Sequence, residues 1–189
     1  MKLVAITGGI GTGKSVVSRM LGVMGYPVYD CDSEAKRLMV SDEELVAGIK
    51  NLLGNDAYAL DGSLNREYVA SCIFSDKALV AQMNALVHPA VLRDITRWAS
   101  NTGSESNFVE TALLRESNMV VILDDVWEVT APLELRIKRV ARRSNLTEEQ
   151  TRARISNQSF ADDDASAHII VNDGVTPLIP QVLALLNAL

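Results

Sequence analysis

The sequence predicts a three-layer α/β/α fold, with helices on both faces of a five-stranded parallel sheet. Short apolar runs recur along the chain, as strands buried on both faces require. Segments of helical periodicity separate these runs. The first 30 residues already contain a strand, a helix and a strand in that order, which is the βαβ unit of parallel sheets.

The strands follow from short runs of apolar and β-branched residues. The predicted strands are 3–6, 28–30, 108–109, 126–130 and 168–171. Another apolar run, at 120–123, ends in Asp124 and Asp125. We prefer 126–130 as the fourth strand, because it leads directly into the helix that Pro132 opens.

The limits of the first helices follow from capping residues, glycine and proline. Apolar residues recur at helical spacing up to Gly25, which ends the first helix. From 33 to about 100 the pattern is helical, with a loop at 55–64 and the end of one helix at Val87. The predicted N-caps of this segment are Ser41 (in a capping box with Glu44), Asn65 and Ser75.

The later helices are delimited in the same way. Pro132 opens a helix that a polar pair at 144–145 breaks. Thr147 and Gln150 then form a second capping box at the start of the next helix. A last apolar helix follows Pro177.

A phosphate-binding motif follows the first strand. The sequence from Gly8 to Ser15 reads GGIGTGKS, which fits the pattern G-x-x-x-x-G-K-S/T. Its glycines let backbone N–H groups converge at the N-terminus of the next helix, where anions bind. Lys14 is expected on the β- and γ-phosphates of a nucleoside triphosphate, and the Ser15 hydroxyl on Mg²⁺. The motif assigns ATP and phosphate binding to Gly9, Ile10, Gly11, Thr12, Gly13, Lys14, Ser15 and Val16.

Two carboxylates follow the second strand. Asp30 and Asp32 lie where open parallel sheets bind ligands, beyond the carboxyl ends of the strands. In that position one carboxylate holds metal through water, and the other accepts a proton from an attacking hydroxyl. The alternative is a pair of N-cap or solvent-exposed aspartates before the next helix.

Five cations are concentrated in the helix that Pro132 opens, and they are Arg136, Lys138, Arg139, Arg142 and Arg143. Arg139 and Arg143 are four residues apart and therefore share a helix face. This arrangement predicts a lid that closes arginines over a transferring phosphoryl group. A solvent-exposed basic face is the alternative.

Composition and charge exclude several classes of function. Hydrophobic residues make up 48% of the chain and charged residues 22%, an ordinary globular composition. The net charge of −6 offers no overall attraction to nucleic acid, so no nucleic-acid partner is expected. Two cysteines make no disulfide framework, and no apolar run has the length of a signal peptide or membrane span. We expect a cytoplasmic protein without a membrane partner, as a monomer or weak homo-oligomer.

Taken in order, the motifs resemble those of the dephospho-coenzyme A kinases, which are P-loop kinases related to the nucleotide monophosphate kinases. The resemblance runs from Leu3 to about Gly174. Its elements are TGGIGTGKS from Thr7, YDCD at 29–32, VHP at 87–89, LL at 113–114 with Glu116, TAPLE at 130–134, Arg139 with Arg143, Arg154 with Gln158, and NDG at 172–174. The chain departs from the family pattern at Ala112 and Arg115.

The resemblance implies transfer of the ATP γ-phosphoryl group to the ribose 3′-hydroxyl of dephospho-coenzyme A, the last step of coenzyme A synthesis. With the phosphate motif, it assigns catalysis to Lys14, Asp32 and Arg139. Acceptor contacts fall to Thr7, Asp32, His88 and Leu113, although a lone histidine is more often structural. Arg143 is assigned to the phosphates, Asn172 to the nucleotide, and Mg²⁺ to Ser15 with Asp32 acting through water.

The resemblance also implies three parts of the P-loop NTPase fold. The nucleotide-binding core comprises 1–32, 89–135 and 159–189, the helical acceptor domain 33–88, and the helical lid 136–158. Another small-metabolite or nucleotide monophosphate kinase is the main alternative function. A GTPase-like switch is disfavoured because the chain has no Asn-Lys-x-Asp sequence. An inactive nucleotide-dependent module is disfavoured by the intact Lys14, Ser15, Asp32 and Arg139.

Overall fold

The computed structural model describes residues 1–74, 76–114, 117–144, 147–156 and 167–189. Several residues of the sequence analysis lie outside these ranges, namely Ser75, Arg115, Glu116, Asn145 and Gln158. The described chain divides into two compact units. The first comprises Met1–Tyr29, Ser104–Leu114 and Val120–Leu189, and the second is Asp30–Gly103 with a short stretch that ends at Met119.

A parallel sheet of five strands lies at the centre of the α/β unit of the described chain, as predicted. The strands are β1 (Lys2–Thr7), β2 (Val28–Asp30), β3 (Ser106–Glu110), β4 (Asp125–Thr130) and β5 (His168–Val171). Their order across the sheet is β2-β3-β1-β4-β5, which makes β1 the central strand. Ile6 of β1 is in register with Glu110 of β3 and with Trp127 of β4. Because the strands are parallel, the loop after β1 lies at the edge where the other strands end.

Helices connect these strands and build the second unit. The helices of the described chain are α1 (Lys14–Val23), α2 (Cys31–Ser41), α3 (Glu43–Leu53), α4 (Arg66–Ile73), α5 (Lys77–Asn101), α6 (Leu133–Ser144), α7 (Glu148–Ser156) and α8 (Leu178–Ala188). The apolar run at 120–123 is not a strand, because most of it belongs to a short 3₁₀ turn (Met119–Ile122). The fourth strand, β4, contains the predicted residues 126–130. None of the described helices is both long and apolar enough to cross a membrane.

The core of the α/β unit is packed from both the sheet and its covering helices. Strand residues contribute the aromatic pair Phe108 and Trp127, whose ring centroids are 5.1 Å apart. α1 contributes Val17 and Leu21, and α8 contributes Val182. All five side chains are fully buried, and each contributes about 1.5–3 kcal/mol to folding by leaving water. This packing fixes the start of α1, and therefore the loop before it.

Two of the predicted helix limits are confirmed by hydrogen bonds. The Asn65 side chain accepts a hydrogen bond from the Tyr68 N–H at 3.2 Å and caps α4. Thr147 and Gln150 exchange hydrogen bonds of 3.0 and 3.2 Å, which is the predicted capping box at α7.

The predicted cap at Ser41 is wrong. α2 runs through Ser41, whose hydroxyl donates back to the Arg37 carbonyl at 3.0 Å. Asp42 caps α3 instead, accepting from the Leu45 N–H at 3.0 Å. The cap of α5 is Asp76, directly after the predicted Ser75. In both places an aspartate follows a serine, and the carboxylate is a good cap that also favours the helix dipole.

The predicted helix end at Val87 is also wrong, because α5 continues through His88 and Pro89 to Asn101. Proline removes one backbone donor from a helix interior. Buried apolar side chains nevertheless recur at helical spacing on both sides of it, at Met83, Val87, Ala90, Val91 and Ile95. This packing outweighs the missing hydrogen bond. All of α5 lies in the helical unit, whose main segment is Asp30–Gly103, and the acceptor domain at 33–88 stays a prediction.

Candidate active site

The loop between β1 and α1 has a backbone conformation that glycine adopts more readily than other residues. The φ angles of Gly8, Gly11 and Gly13 are 135°, 80° and 100°. A Cβ atom on Gly13 would lie 2.2 Å from Nδ2 of Asn172, and one on Gly8 would lie 2.2 Å from the Val129 carbonyl oxygen. The motif therefore requires glycine at these positions both for the torsion angles and for space.

The loop closes on itself and leaves the start of α1 open. The N–H and the hydroxyl of Thr12 both donate to the Gly9 carbonyl, at 3.2 and 2.8 Å. Gly13 is the N-cap of α1, and no side chain caps this helix among the described residues. The first N–H groups of any helix lack the carbonyl partners of the helix interior, and its N-terminus is the positive end of the helix dipole. The arrangement suits an anion such as a phosphate group.

Lys14 and Ser15 begin α1. The Lys14 ammonium donates to the Gly8 carbonyl at 2.7 Å and lies 3.4 Å from the Gly9 carbonyl. These contacts hold its charge over the glycine loop. Ser15 is partly buried in the first turn of the helix, and Val16 next to it is exposed.

Two arginines of α6 bind the carbonyl groups of this loop. Nε of Arg136 donates to the Ile10 carbonyl at 3.0 Å. Nη1 of Arg139 donates to the carbonyls of Gly11 and Thr12, at 3.3 and 3.2 Å. Burial lowers the pKa of Arg136, but a guanidinium remains charged at neutral pH. Three consecutive carbonyl groups thus accept hydrogen bonds from one helix.

Asn172 completes this contact from the end of β5. Its Nδ2 donates to the Thr12 carbonyl at 2.7 Å, and its Oδ1 accepts from Nη2 of Arg139 at 3.1 Å. Its own N–H donates to the Thr130 carbonyl at 2.8 Å, which fixes the backbone next to β4. Asn172 is buried and lies against Gly13. The structure therefore brings Thr12, Gly13, Arg139 and Asn172 together.

The two arginines expected to form the lid, Arg139 and Arg143, differ in their contacts. Arg139 is bound to loop carbonyls and to Asn172, whereas the sequence predicts it in a lid over the transferring phosphoryl group. The side chains of Arg142 and Arg143 are exposed and form no hydrogen bond to another described residue. α6 and α7 are tied together by Arg152, which binds Glu134 at 3.0 Å. The lid at 136–158 stays a prediction.

Thr7 and Leu113 lie at the carboxyl edge of the sheet. Thr7 is the last residue of β1 and is half-buried. Leu113 follows β3, is 44% exposed, and donates its N–H to the Thr111 hydroxyl at 3.1 Å. An exposed apolar side chain at this edge fits a contact to an apolar part of a substrate.

The two aspartates of the helical unit have distinct environments. Asp30 is the N-cap of α2, and its carboxylate accepts from the N–H groups of Asp32 and Ser33 and from the Ser33 hydroxyl. Asp32 lies in the first turn of α2, and its carboxylate is exposed and binds no other described side chain or N–H group. The capping alternative thus holds for Asp30, and Asp32 keeps a carboxylate available for chemistry.

His88 lies in the interior of α5, directly before Pro89. Its side chain is half-buried and forms no hydrogen bond within the described part of the chain. Another residue of α5, Asp94, forms two ion pairs that the sequence patterns above do not reveal. Asp94, which is 8% exposed, binds Arg37 of α2 and Arg97 of its own helix. The spacing of Asp94 and Arg97 signals their pairing, but nothing in the sequence links either to Arg37.

The geometry defines a class of protein. A glycine loop joins the central strand of a parallel sheet to a helix that begins with lysine and serine, and this is the arrangement of P-loop kinases. A family model described as dephospho-CoA kinase matches residues 2–177. The chain belongs to this family.

Individual relatives support this assignment. A dephospho-CoA kinase of Bacteroides fragilis is 38% identical over 186 residues, which cover 97% of this chain and 90% of that protein. A Thermus thermophilus protein of known crystal structure has 32% sequence identity to this chain and a TM-score of 0.80. The match covers 99% of this chain and 95% of the Thermus chain. Dephospho-CoA kinase from Campylobacter jejuni, at 20% identity and a TM-score of 0.71, shares the fold over 99% of this chain and 96% of its own.

Proposed function

We propose that the chain transfers the γ-phosphoryl group of ATP to the ribose 3′-hydroxyl of dephospho-CoA, and so makes coenzyme A. The proposal rests on one observation above all: in a member of this family, α1 begins without a cap from any described side chain, and the glycine loop before it has both the required φ angles and the lysine. A loop of this kind is a site for the phosphates of a nucleotide.

ATP binds with its β- and γ-phosphates at the start of α1. The N–H groups of the loop and the helix dipole stabilise the negative charge of the phosphates. Lys14 adds a positive charge that moves from the Gly8 and Gly9 carbonyls to the phosphate oxygens. These groups act most strongly in the transition state, when charge spreads over the transferring group.

Mg²⁺ is the metal that we propose for this reaction. The Ser15 hydroxyl is a hard oxygen ligand in the first turn of α1, and Mg²⁺ prefers such ligands with water and phosphate oxygens. Asp32 is a further ligand through water. When bound, the metal neutralises charge on the β- and γ-phosphates.

Asp32 is the residue that we propose to accept the proton of the ribose 3′-hydroxyl or to align that oxygen. The exposed Asp32 carboxylate is free for this role because Asp30 supplies the helix cap. A loose transition state needs little basicity, so alignment contributes at least as much as proton transfer. The helical unit is the proposed acceptor domain, and the proposed acceptor contacts are His88 in that unit and Thr7 and Leu113 in the α/β unit.

Arg139 and Arg143 are the proposed arginines of transfer. Arg139 lies next to the loop, and Arg143 is one turn further along the same face of α6. An arginine binds two phosphate oxygens with its planar guanidinium and keeps its charge. We further propose that the enzyme acts in the cytoplasm as a monomer or weak homo-oligomer.

The test is a coupled assay of ADP release with Mg²⁺-ATP and four rival acceptors: dephospho-CoA, AMP, shikimate and gluconate. We expect turnover with dephospho-CoA alone. The Lys14→Ala variant serves as the control for a contaminating kinase. Equal turnover with AMP, or none with dephospho-CoA, would contradict the proposed acceptor.

A further inference from the structure

We propose that Arg136 is a positioning residue for phosphate binding. Its hydrogen bond to the Ile10 carbonyl fixes the peptide group between Ile10 and Gly11, so that the Gly11 N–H is presented to the nucleotide. The inference rests on the proposed use of the glycine loop for phosphates.

Peptide geometry links the arginine to that N–H group. A trans peptide is planar, and its C=O and N–H bonds point in opposite directions. The Ile10 carbonyl points at Nε of Arg136, 3.0 Å away. The N–H of Gly11 belongs to the same peptide and therefore points away from Arg136. Arg136 thus orients a donor that it does not touch.

Glycine makes this control necessary. Gly11 has a φ angle of 80°, and a residue without Cβ visits both signs of φ at similar free energy. The Ile10–Gly11 peptide is therefore able to rotate and present its carbonyl in place of its N–H. A carbonyl oxygen directed at a phosphate repels it, so the rotated loop binds phosphate poorly. A charged donor on the Ile10 oxygen favours the productive orientation.

The backbone of α6 is held against the same glycine, which fixes the origin of the arginine side chain. A Cβ atom on Gly11 would lie 2.8 Å from the Arg136 carbonyl oxygen and 2.9 Å from Cγ2 of Val140. This close approach leaves the Arg136 side chain partly buried beside the loop. The sequence places Arg136 and Arg139 three residues apart, on one face of the helix.

The experiment separates phosphate binding from general stability. Nuclear magnetic resonance titrations with Mg²⁺-ADP and with adenosine compare the wild type with Arg136→Met, Arg136→Lys and the control Lys138→Met. Lys138 is exposed on the same helix. We expect Arg136→Met to weaken ADP binding about tenfold, as loss of a hydrogen bond from a charged donor does, and to leave adenosine binding unchanged. Arg136→Lys should restore part of the ADP affinity, and Lys138→Met should match the wild type.

The same titration follows the Gly11 amide resonance in the wild type, which should shift with ADP and not with adenosine. Equal ADP affinity in Arg136→Met and the wild type would overturn the inference. An equal loss of ADP and adenosine binding would also overturn it, since that pattern indicates a structural role alone. If Arg136→Met does not fold, Arg136→Lys and the Gly11 resonance decide, and a Gly11 resonance unmoved by ADP overturns the inference.

A wild type that binds adenosine but no ADP overturns both this inference and the proposed function, whereas ADP binding without dephospho-CoA turnover contradicts the function alone.

Discussion

The carboxylate of Asp30 accepts hydrogen bonds from the backbone N–H groups of Asp32 and Ser33, at 3.1 and 3.4 Å. It also accepts from the Ser33 hydroxyl at 2.7 Å, so both of its oxygen atoms have partners. Its negative charge lies at the N-terminus of α2, where the helix dipole favours it. The two aspartates are only two residues apart, yet one stabilises the helix and the carboxylate of the other binds no side chain or N–H group in the described part of the chain.

We expect Asp32→Asn to lower kcat by at least about a hundredfold while ATP binding stays nearly intact, because the change removes the group that aligns or deprotonates the acceptor hydroxyl. Asp30→Asn keeps a capping side chain and is the matched control. Asp30→Ala should lower the free energy of unfolding by about 1 kcal/mol, which is the usual contribution of an N-cap. Steady-state kinetics and urea unfolding check these effects, and a larger fall in kcat for Asp30→Asn than for Asp32→Asn would reverse the assignment.

Lys14→Ala should reduce turnover at least about a hundredfold, because it removes a positive charge from the developing negative charge of the transferring group. The exposed Lys138 offers a control, since Lys138→Ala removes the same charge from a solvent-exposed position of α6. The measurement is kcat at saturating ATP, with circular dichroism to verify folding. A folded Lys14→Ala protein with near-normal turnover would show that the glycine loop is not the phosphate site.

Substitutions of Arg139 distinguish its charge from its planar shape. Arg139→Ala leaves the Gly11 carbonyl and Oδ1 of Asn172 without this donor, and should lower kcat more than Arg139→Lys. Both variants should alter kcat more than the KM for dephospho-CoA. Arg142→Ala is the control, because Arg142 is exposed on the same helix. If Arg142→Ala reduces kcat as much as Arg139→Ala, the arginines act as a diffuse basic field and the assignment fails.

The turn after Asn172 should make stability depend on pH. Hydrogen bonds from the N–H groups of Thr176 and Val175, and from the Thr176 hydroxyl, hold the pKa of Asp173 below its ordinary value. A lowered folded-state pKa stabilises the protein above the unfolded-state pKa, and this contribution is lost as pH falls through the folded-state value. Wild type should therefore be more stable than Asp173→Asn at neutral pH, with a difference that shrinks below about pH 4. Urea unfolding across this range measures it, and a pH-independent difference would argue against the prediction.

The features that the sequence predicts well are those that local patterns determine. The glycine loop, the five strands and the capping box at Thr147 depend on residues close in sequence. The helix end predicted at Val87 is wrong, because packing along α5 outweighs the local effect of Pro89. From the sequence alone, Arg136 is one of five neighbouring cations, and nothing distinguishes it from the others. Its contact with Ile10 spans 126 residues of chain, so no local pattern reveals it.

The hydrogen bond from Asn172 to the Thr12 carbonyl has a consequence for synthesis of the chain. The two residues are 160 positions apart, and a ribosome adds about 5–20 residues per second. The glycine loop is therefore made roughly 8–32 s before the asparagine that binds it. During that interval a nascent chain has the complete phosphate motif but lacks one of the side chains that hold it in shape. Nucleotide binding should accordingly reach its full affinity only after β5 has joined the sheet and Asn172 is in place.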